Sequence, residues 1–504
     1  MDFHENWTPQ TLQKVVRDHL RASQIIVVSN REPYVHNHDG SGRPVVQVPA
    51  SGVVTALEPV MRACAGVWVA HGSGTADRDV VDKSDRIRVP PVDPSYTLRR
   101  VWLSHVQEVG YYNGFCNEGL WPLCLMAHVN PVFRANDWHT YKEVNANFAD
   151  AVAAESNTDS PVVLIQDFHI ALLPGLIRAR IPKATIVLFW HIPWPNPETF
   201  AVCPWKRELL LHMLSADIIG FHTRNHCKNF LDTVDCFVGC RSDHEQMKIT
   251  IEGHLCRVAP YPISIEWPPI CQQKVADVSI CRDAVRRRCD IGADVMVGLA
   301  IDRWDFTKGI IERLLTLETL LDKNPRYLGR ISLLQIAVPS RGHLPAYRAL
   351  QQQTHRELSR INAKFGRDKW RPIVLIDEYQ EPQTVVELYR ATDFCWVNSL
   401  HDGMNLVAKE FVAARDDGDG VLILSTFAGA AHELVEAVMI NPFDVVESAD
   451  SLETAMCMGE DERRRRMTLM RKTIRENNVY RWALGLLMDA ARIRQSKYCV
   501  TSSG

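Results

Sequence analysis

Short apolar runs recur along the chain, and each ends in polar residues or glycine. In the first half these runs are QIIVVSN (24–30), GVWVAHG (66–72), PVVLIQD (161–167), ATIVLFWH (184–191) and DIIGFH (217–222). In the second half they are DVMVGLAIDR (294–303), ISLLQIAVP (331–339), RPIVLIDE (371–378), DFCWVNS (393–399) and GVLILST (420–426). Runs of this length and composition are typical of parallel strands that are buried on both faces.

Helical patterns such as TALEPVMRAC, KRELLLHMLS, GIIERLLTLETLL and NLVAKEFVAAR separate these runs. The alternation predicts two doubly wound α/β domains. The stretch VAPYPISIEWPPI (258–270) contains four prolines and is the predicted linker. We place an N-terminal Rossmann-like domain at 1–262, a C-terminal one at 263–480, and a helix and tail at 481–504 that packs back on the N-terminal domain. Two such domains facing each other would leave a ligand cleft at the carboxyl ends of their strands.

Composition narrows the class of protein. The 504 residues carry a net charge of −3, which gives no general attraction to nucleic acid. No apolar run reaches the length of a membrane span. None of the 14 cysteines forms a CxxC pair, and the spacing of Cys227, Cys236 and Cys240 near His222 and His226 matches no standard zinc pattern. We therefore expect free thiols and a cytoplasmic protein.

Basic residues and helix starts coincide with the predicted strand ends. The basic residues are Arg31, Arg303, Lys308 and Arg341, and the helix starts are at Gly52, Gly309 and Asn405. Cationic side chains and the free N–H groups of helix N-termini together bind phosphate, so the pattern predicts an anion-binding cleft. Each feature alone has a simpler interpretation: Asp167 could cap a helix, and His191 could be a hydrogen-bonded core histidine.

Several standard motifs are absent from the sequence. It has no GxGxxG turn, GxxxxGK[ST] loop, GxSxG elbow or HExxH pair, which disfavours standard redox enzymes, NTPases and hydrolases. No acidic DxD-like cluster marks a metal site. We therefore expect no metal and no cofactor, and the charge of an anionic ligand would be met by protein cations and helix dipoles.

Longer motifs resemble one known family. They are VVSNREPY, YYNGFCNEGLWP (111–122), HIPWPNPETF, GFHT, YPISIE, DRWDFTKGI, PSRG followed by AY, DGMNLVAKEFVAA and LSTFAGAAHEL. In this order and spacing they resemble the trehalose-6-phosphate synthases, retaining glycosyltransferases of family 20 with the two-domain GT-B fold. The resemblance implies glucose transfer from a nucleoside-diphosphate glucose to glucose 6-phosphate, with both small molecules as partners and with no nucleic acid or membrane. It is compatible with a homo-oligomer.

The resemblance also implies roles for individual residues. The catalytic set would be His191, Arg303, Lys308 and Asp402. Donor binding would use Gly52, Arg303, Lys308, Asp402, Gly403, Met404, Asn405, Leu406, Val407 and Glu410, with Glu410 on the ribose. Acceptor binding would use Arg31, Tyr112, Trp121, Asp167 and Arg341, with the two arginines on the phosphate. No protein nucleophile or metal is implied.

Two alternatives to this function stay open at the level of sequence. One is transfer of glucose to glycerol 3-phosphate; the presence of Arg341 favours a hexose phosphate instead. The other is a sugar-phosphate sensor that has lost catalysis, against which the intact donor set argues. The chain departs from the family pattern at Ser51, His71 and His401, and the base of the donor nucleotide is not indicated.

Overall fold

A computed structural model describes residues 7–20, 24–49, 52–126, 129–269 and 275–501, with backbone only for 497–501. It divides into two compact units. Unit 1 comprises residues 1–263 and 478–504, and unit 2 comprises residues 264–477. The domain boundaries expected from the sequence, at 262/263 and 480/481, stay predictions.

The strands of unit 1 are β1 Ile25–Ser29, β2 Val35–His38, β3 Pro44–Gln47, β4 Val67–His71, β5 Arg86–Val89, β6 Tyr96–Val101, β7 Val162–Gln166, β8 Thr185–Phe189, β9 Ile218–Phe221, β10 Arg241–Asp243, β11 Lys248–Ile251 and β12 His254–Pro260. Its helices are α1 Pro9–His19, α2 Gly52–Cys64, α3 His105–Gln107, a π-helix Glu108–Leu120, α4 Trp121–Leu125, α5 Ala135–Glu155, α6 Leu173–Arg180, α7 Pro197–Phe200, α8 Lys206–Met213 and α9 Arg224–Phe237.

The strands of unit 2 are β13 Met296–Arg303, β14 Ile331–Val338, β15 Ile373–Ile376, β16 Phe394–Val397, β17 Val421–Ser425 and β18 Val438–Ile440. Its helices are α10 Val278–Arg288, α11 Ile310–Lys323, α12 Pro345–Phe365, α13 Pro382–Ala391, α14 Leu406–Ala414, α15 Val445–Met456 and α16 Glu460–Glu476. The last helix of the chain, α17 Val479–Thr501, belongs to unit 1.

Unit 1 is built on a ten-stranded sheet of order β10-β11-β12-β9-β8-β7-β1-β4-β6-β5. The pairs from β12 to β6 are parallel, and the outer pairs β10–β11, β11–β12 and β5–β6 are antiparallel. All five residues of β1, β7 and β8 are buried, as expected for central strands covered on both faces. A separate hairpin pairs β2 with β3.

Unit 2 is built on a six-stranded parallel sheet of order β15-β14-β13-β16-β17-β18. Its core includes Leu314 and Leu317 of α11, Leu333 of β14, Trp396 of β16 and Ile423 of β17. The prediction of two doubly wound α/β units is thereby confirmed, and each predicted apolar run contains a strand.

The linker prediction is partly wrong. Residues Val258–Pro260, the first three of the predicted linker, form the end of β12, which pairs in parallel with β9. Proline has no N–H to donate to a neighbouring strand. Pro260 is tolerated at the end of β12 because no ladder hydrogen bond is lost there. Residue 270, the last of the predicted linker, lies outside the described residues.

The C-terminal helix α17 is held to other parts of unit 1 by specific contacts. The hydroxyl of Tyr261 donates to Asp489 Oδ2 at 2.7 Å. The Trp482 ring meets Phe189 of β8 edge to face, with ring centroids 5.3 Å apart.

A membrane-spanning helix must be both long and apolar, and none of the helices in the described part of the chain meets both conditions.

Candidate functional site

Each parallel sheet has a point where successive connections leave in opposite directions, and ligands of such sheets bind at that point. In unit 1 it lies between β1 and β7, since the chain proceeds from β1 to β4 on one side and from β7 to β8 on the other. In unit 2 it lies between β13 and β16 for the same reason. The loops after these four strands carry Arg31, Asp167, Lys308 and Asp402.

In unit 2 an ion pair joins the two loops at this point. Lys308 Nζ lies 2.6 Å from Asp402 Oδ2, and the side chains are 15% and 17% exposed. The same oxygen accepts hydrogen bonds from Ser399 Oγ at 3.1 Å and Asn405 Nδ2 at 3.2 Å. Burial acts to raise the pKa of Asp402, but Lys308 and the two hydrogen bonds outweigh it and lower that pKa. Asp402 is therefore a carboxylate at neutral pH, able to accept from sugar hydroxyls.

The Lys308 loop is shaped by its own backbone. Asp305 accepts hydrogen bonds from the Thr307 N–H and hydroxyl, which starts a short 3₁₀ helix, Phe306–Lys308. Gly309 then takes a positive φ of 61°. A Cβ there would lie 2.2 Å from the Asn398 carbonyl oxygen, so only glycine allows the two loops to approach this closely.

Arg303 and Arg341 share one buried carboxylate. Arg303 Nη2 lies 3.7 Å and Arg341 Nη1 3.4 Å from Asp305 Oδ2. Arg303 is 38% exposed and accessible to a ligand. Arg341 is only 4% exposed and also donates to the Tyr347 hydroxyl at 2.7 Å. The role of Arg341 on an acceptor phosphate stays a prediction, and it would require the side chain to exchange these partners.

The start of α14 carries the predicted donor amides. Asn405 adopts a φ of 77° and accepts the N–H of Ala408 on its side chain, so it caps the helix. The N–H groups of Leu406 and Val407 belong to the first turn, which has no partner within the helix. Gly403 and Met404 are buried, and the Met404 carbonyl accepts from Ala430 N. The helix-cap interpretation and the ligand interpretation of this segment are therefore compatible.

Glu410 lies one turn further along α14. Its Oε2 accepts a hydrogen bond from the Tyr389 hydroxyl at 2.9 Å. Residues four positions apart share a helix face, so Glu410 lies on the same side of α14 as Leu406. A ligand that bridges the first-turn amides and this carboxylate would be anionic at one end and rich in hydroxyl groups at the other.

In unit 1 the predicted acceptor residues gather around the loops after β1 and β7. Arg31 is exposed, and its Nη2 lies 3.4 Å from the Tyr112 hydroxyl. The Tyr112 ring stacks on His169 at 5.6 Å, and His169 Nδ1 lies 3.6 Å from Asp167 Oδ2. Trp121 is 7% exposed and packs on Phe168 at 5.9 Å. Gly52 is also a predicted donor residue, but it belongs to unit 1, where it is the exposed first residue of α2. The other predicted donor residues belong to unit 2.

The loop that carries Asp167 and the loop that carries His191 are joined by hydrogen bonds. Asp167 has a φ of 78°, and its side chain makes no capping hydrogen bond to the following 3₁₀ helix, so it is not the simple cap considered above. Its Oδ1 accepts from His191 N at 3.2 Å. His191 Nε2 donates to Gln166 Oε1 at 2.9 Å, as a core histidine would. Burial lowers the pKa of His191 to about 3, so the ring is neutral at physiological pH.

A cluster of buried charged residues adjoins the loop that carries Arg31. Arg100, which is fully buried, donates through Nε to Glu32 Oε2 at 2.9 Å, and its Nη2 lies 2.8 Å from Asp77 Oδ1. Burial and a hydrogen bond to Asp77 raise the pKa of Glu32 to about 8. Hydrogen bonds from His36 and Glu32 outweigh burial and lower the pKa of Asp77 to about 2. Glu32 is therefore protonated at neutral pH, whereas Asp77 is a carboxylate.

This cluster predicts that stability falls at alkaline pH. Folding raises the pKa of Glu32 from 4.5 to about 8, so the folded state keeps a proton that the unfolded chain releases. The stabilisation is complete below pH 4.5 and is lost as pH rises through 8. The Tm of the wild type should fall by several degrees relative to Glu32→Gln between pH 5 and 8.5 in thermal unfolding. Glu143→Gln, a control on an exposed side chain of α5 in the same unit, should follow the wild type; parallel profiles for wild type and Glu32→Gln would contradict the assignment.

Sequence reasoning missed several residues of the site. They are Asp305, Ser399, Tyr389, Gln166 and the cluster around Glu32. Asp305 stands inside the motif DRWDFTKGI and Glu32 inside REPY, so their positions carried a signal, but Tyr389 comes from a helix with no motif. Among the described residues, no group of three or more His, Cys, Asp or Glu side chains could hold a metal ion.

The sequence matches glycosyltransferase family 20 over residues 23–492. It is 35% identical over 475 residues to the trehalose-6-phosphate synthase of Mycobacterium avium, which is 92% of this chain and 94% of that protein. It is also 35% identical over 485 residues to the bifunctional trehalose-6-phosphate synthase/phosphatase of Thermoproteus tenax, of which it spans 64%, while 94% of this chain is covered.

Solved structures are similar over nearly the same length. One is described as "Trehalose-6-phosphate from E. coli bound with UDP-2-fluoro glucose"; it has a TM-score of 0.82 and 32% identity, over 93% of this chain and 99% of that one. Another is an α,α-trehalose-phosphate synthase (UDP-forming) from Burkholderia xenovorans in complex with glucose-6-phosphate. Its TM-score is 0.80 and its identity 29%, over 93% of this chain and 100% of that one.

Proposed function

The chain belongs to glycosyltransferase family 20, and from that premise we propose that it transfers glucose from UDP-glucose to glucose 6-phosphate, giving α,α-trehalose 6-phosphate. The predicted family and the GT-B fold class are confirmed by the match over residues 23–492 and by the solved structures. The chain is therefore a glycosyltransferase whose substrates are small molecules. UDP as the donor nucleotide and glucose 6-phosphate as the acceptor follow from what those relatives bind.

One observation in this chain carries the proposal furthest. The Lys308–Asp402 pair joins the loops after β13 and β16, near the start of α14 and at the end of the strand that carries the partly exposed Arg303. A diphosphate needs cations and free amides, and a sugar needs an ionised acceptor for its hydroxyl groups. Lys308, Arg303 and the α14 amides supply the first, and Asp402 supplies the second.

The proposed chemistry requires no protein nucleophile. The C1 hydroxyl of glucose 6-phosphate attacks the donor anomeric carbon from the face that the diphosphate leaves, through an oxocarbenium-like state. The bond from the anomeric carbon to the diphosphate oxygen breaks, and that oxygen takes the proton of the attacking hydroxyl. The protein positions both sugars and stabilises the charge that develops on the diphosphate. His191 is neutral, so it contributes hydrogen bonding and shape beside the sugar rather than positive charge.

Transfer to glycerol 3-phosphate is not favoured, because the relatives named above are described as trehalose-6-phosphate synthases, one of them in complex with glucose-6-phosphate. A homo-oligomer, a cytoplasmic location and independence from metal ions remain our proposals. They rest on the sequence, and gel filtration, fractionation and activity after chelation would test them in turn.

A donor and acceptor panel tests the proposed function. The protein is incubated with UDP-, ADP- or GDP-glucose and either glucose 6-phosphate or glycerol 3-phosphate, and the released nucleotide and the product mass are measured. We expect a disaccharide phosphate from UDP-glucose and glucose 6-phosphate, at a rate well above that of any glycerol product. Nucleotide binding without any product would instead support the sensor, and a preference for glycerol 3-phosphate would support the other alternative.

A further inference from the structure

A buried tyrosine of α13 holds the carboxylate that is predicted to bind the donor ribose. Tyr389 is 2% exposed, and its hydroxyl donates to Glu410 Oε2 at 2.9 Å. The ring meets Phe411 at 6.3 Å in an edge-to-face arrangement, which fixes its direction. Within the part of the chain that the structure describes, this is the one side-chain hydrogen bond made by the Glu410 carboxylate.

The hydrogen bond from Tyr389 gives the two carboxylate oxygens of Glu410 different roles. Burial raises the pKa of Glu410, and the Tyr389 hydroxyl opposes that effect because it stabilises the ionised form. Burial also raises the pKa of Tyr389 well above its ordinary value, so the phenol remains a donor across the physiological range. Oε2 is occupied by Tyr389, and Oε1 is left to accept a hydrogen bond from a ligand.

The placement of Glu410 along α14 makes its orientation important. Leu406, whose amide is predicted to face the diphosphate, lies four residues earlier, or about 6 Å along the helix axis. A nucleotide has its ribose directly beside its diphosphate. A small rotation of the Glu410 side chain would therefore move its carboxylate away from the ribose of a nucleotide whose diphosphate lies at the Leu406 amide. Because Glu410 has several rotatable bonds, a fixed partner at Oε2 limits the orientations that Oε1 can take.

We propose that Tyr389 is a positioning residue for nucleotide binding, which holds Glu410 so that Oε1 accepts a hydrogen bond from a ribose hydroxyl of the donor. The proposal rests on the proposed function, since it assumes a nucleotide at the start of α14. It adds a residue from a helix that bears none of the predicted site residues.

The test compares UDP with 2′-deoxy-UDP and 3′-deoxy-UDP by calorimetry on the wild type and Tyr389→Phe, so that loss of either ribose hydroxyl is measured. The wild type should prefer UDP. The variant should bind UDP about 5–10-fold more weakly, the size of effect expected for one hydrogen bond of ordinary strength, because the contact to the ribose is misaligned rather than removed. It should also lose most of its preference over the deoxy nucleotides. Tyr96→Phe removes the hydroxyl of a buried tyrosine in unit 1 and should behave as wild type. An unchanged preference in Tyr389→Phe would overturn the proposal.

A double-mutant cycle separates positioning from a general structural effect. In a Glu410→Gln background, Tyr389→Phe should cause no further loss of UDP affinity, because Tyr389 acts through Glu410. Additive losses would contradict this. The acid limb of UDP affinity against pH should also move to higher pH in Tyr389→Phe, since the Glu410 carboxylate has lost a stabilising donor.

The outcomes distinguish this proposal from the proposed function. UDP binding needs no turnover, so an enzyme that makes no disaccharide but shows the predicted nucleotide preferences would contradict the proposed function and support the role of Tyr389. With turnover, Tyr389→Phe should raise KM for UDP-glucose while kcat and KM for glucose 6-phosphate stay within about twofold, as expected when binding is lost equally in ground and transition states. A wild type that binds no UDP would overturn the Tyr389 proposal directly.

Discussion

Replacing Lys308 with methionine is expected to lower kcat for glucosyl transfer by about 10²–10³-fold, the range measured when a single donor to a developing oxyanion is removed. Lys308 Nζ is the cation of the short ion pair at the loop junction of unit 2. Methionine keeps the apolar length of the side chain, so the packing around it should persist. The loss should therefore appear in the chemical step, because the leaving diphosphate no longer has this charge beside it.

Steady-state kinetics with UDP-glucose varied at saturating glucose 6-phosphate measure this effect. Lys364→Met is the matched control, since Lys364 also forms ion pairs but lies 40% exposed on α12 of the same unit. The control should retain wild-type kinetics. Because Asp402 would lose its counter-charge, Lys308→Met/Asp402→Asn is included to show whether an unpaired carboxylate adds to the defect. Near wild-type kcat in Lys308→Met would refute the role of this residue.

Replacing Arg31 with alanine is expected to raise KM for glucose 6-phosphate by roughly 10–100-fold, which corresponds to one hydrogen bond between charged groups. Arg31 follows β1, is exposed, and has Tyr112 as its neighbour at 3.4 Å. It is therefore free to meet a phosphate without breaking a buried ion pair. Arg341 differs, since it is 4% exposed and bound to Asp305 and Tyr347.

The unphosphorylated sugar isolates the phosphate contact. With glucose as acceptor, Arg31→Ala and the wild type should have similar, low kcat/KM, because the interaction that was removed is absent from both reactions. Arg88→Ala, a surface arginine of β5 in the same unit, serves as the control. An equal loss of rate with glucose and glucose 6-phosphate would show that Arg31 supports the fold of the loop rather than the phosphate.

The central strands could be predicted because they are buried on both faces and so read as continuous apolar runs. Other elements could not. The long helix α5 has a core face that includes Asn145, which is fully buried and donates to Tyr141 O and His169 O, so the polar residue interrupts the apolar pattern. The π-helix carries glycines for packing: a Cβ on Gly114 would lie 2.4 Å from Asp137 Oδ2 of α5. Such a segment lacks the propensity that marks a helix in sequence.

The candidate site divides in the same way. Residues at strand ends, such as Arg31 and Lys308, follow from topology, since the carboxyl ends of parallel strands share one edge of a sheet. Contacts that other residues make with these side chains cannot be predicted from topology. Asp305 lies in the same loop as Lys308, and its position in DRWDFTKGI carried a signal, but its role could not be predicted because it depends on a buried contact with Arg303 and Arg341. Tyr389 was hidden because only the packing of α13 brings it to Glu410.

The proposed transfer is tested most directly by NMR on the product made from UDP-glucose and glucose 6-phosphate, which gives the structure of that product. We expect one disaccharide phosphate in which both anomeric carbons are joined through a single oxygen and both have the α configuration. The transferred glucose keeps its α configuration because the acceptor attacks from the face that the diphosphate leaves, and the acceptor carbon keeps that of the bound α anomer, because its C1–O1 bond does not break. A β linkage at the transferred glucose, a bond to any other acceptor hydroxyl, or the release of free glucose alone would contradict it.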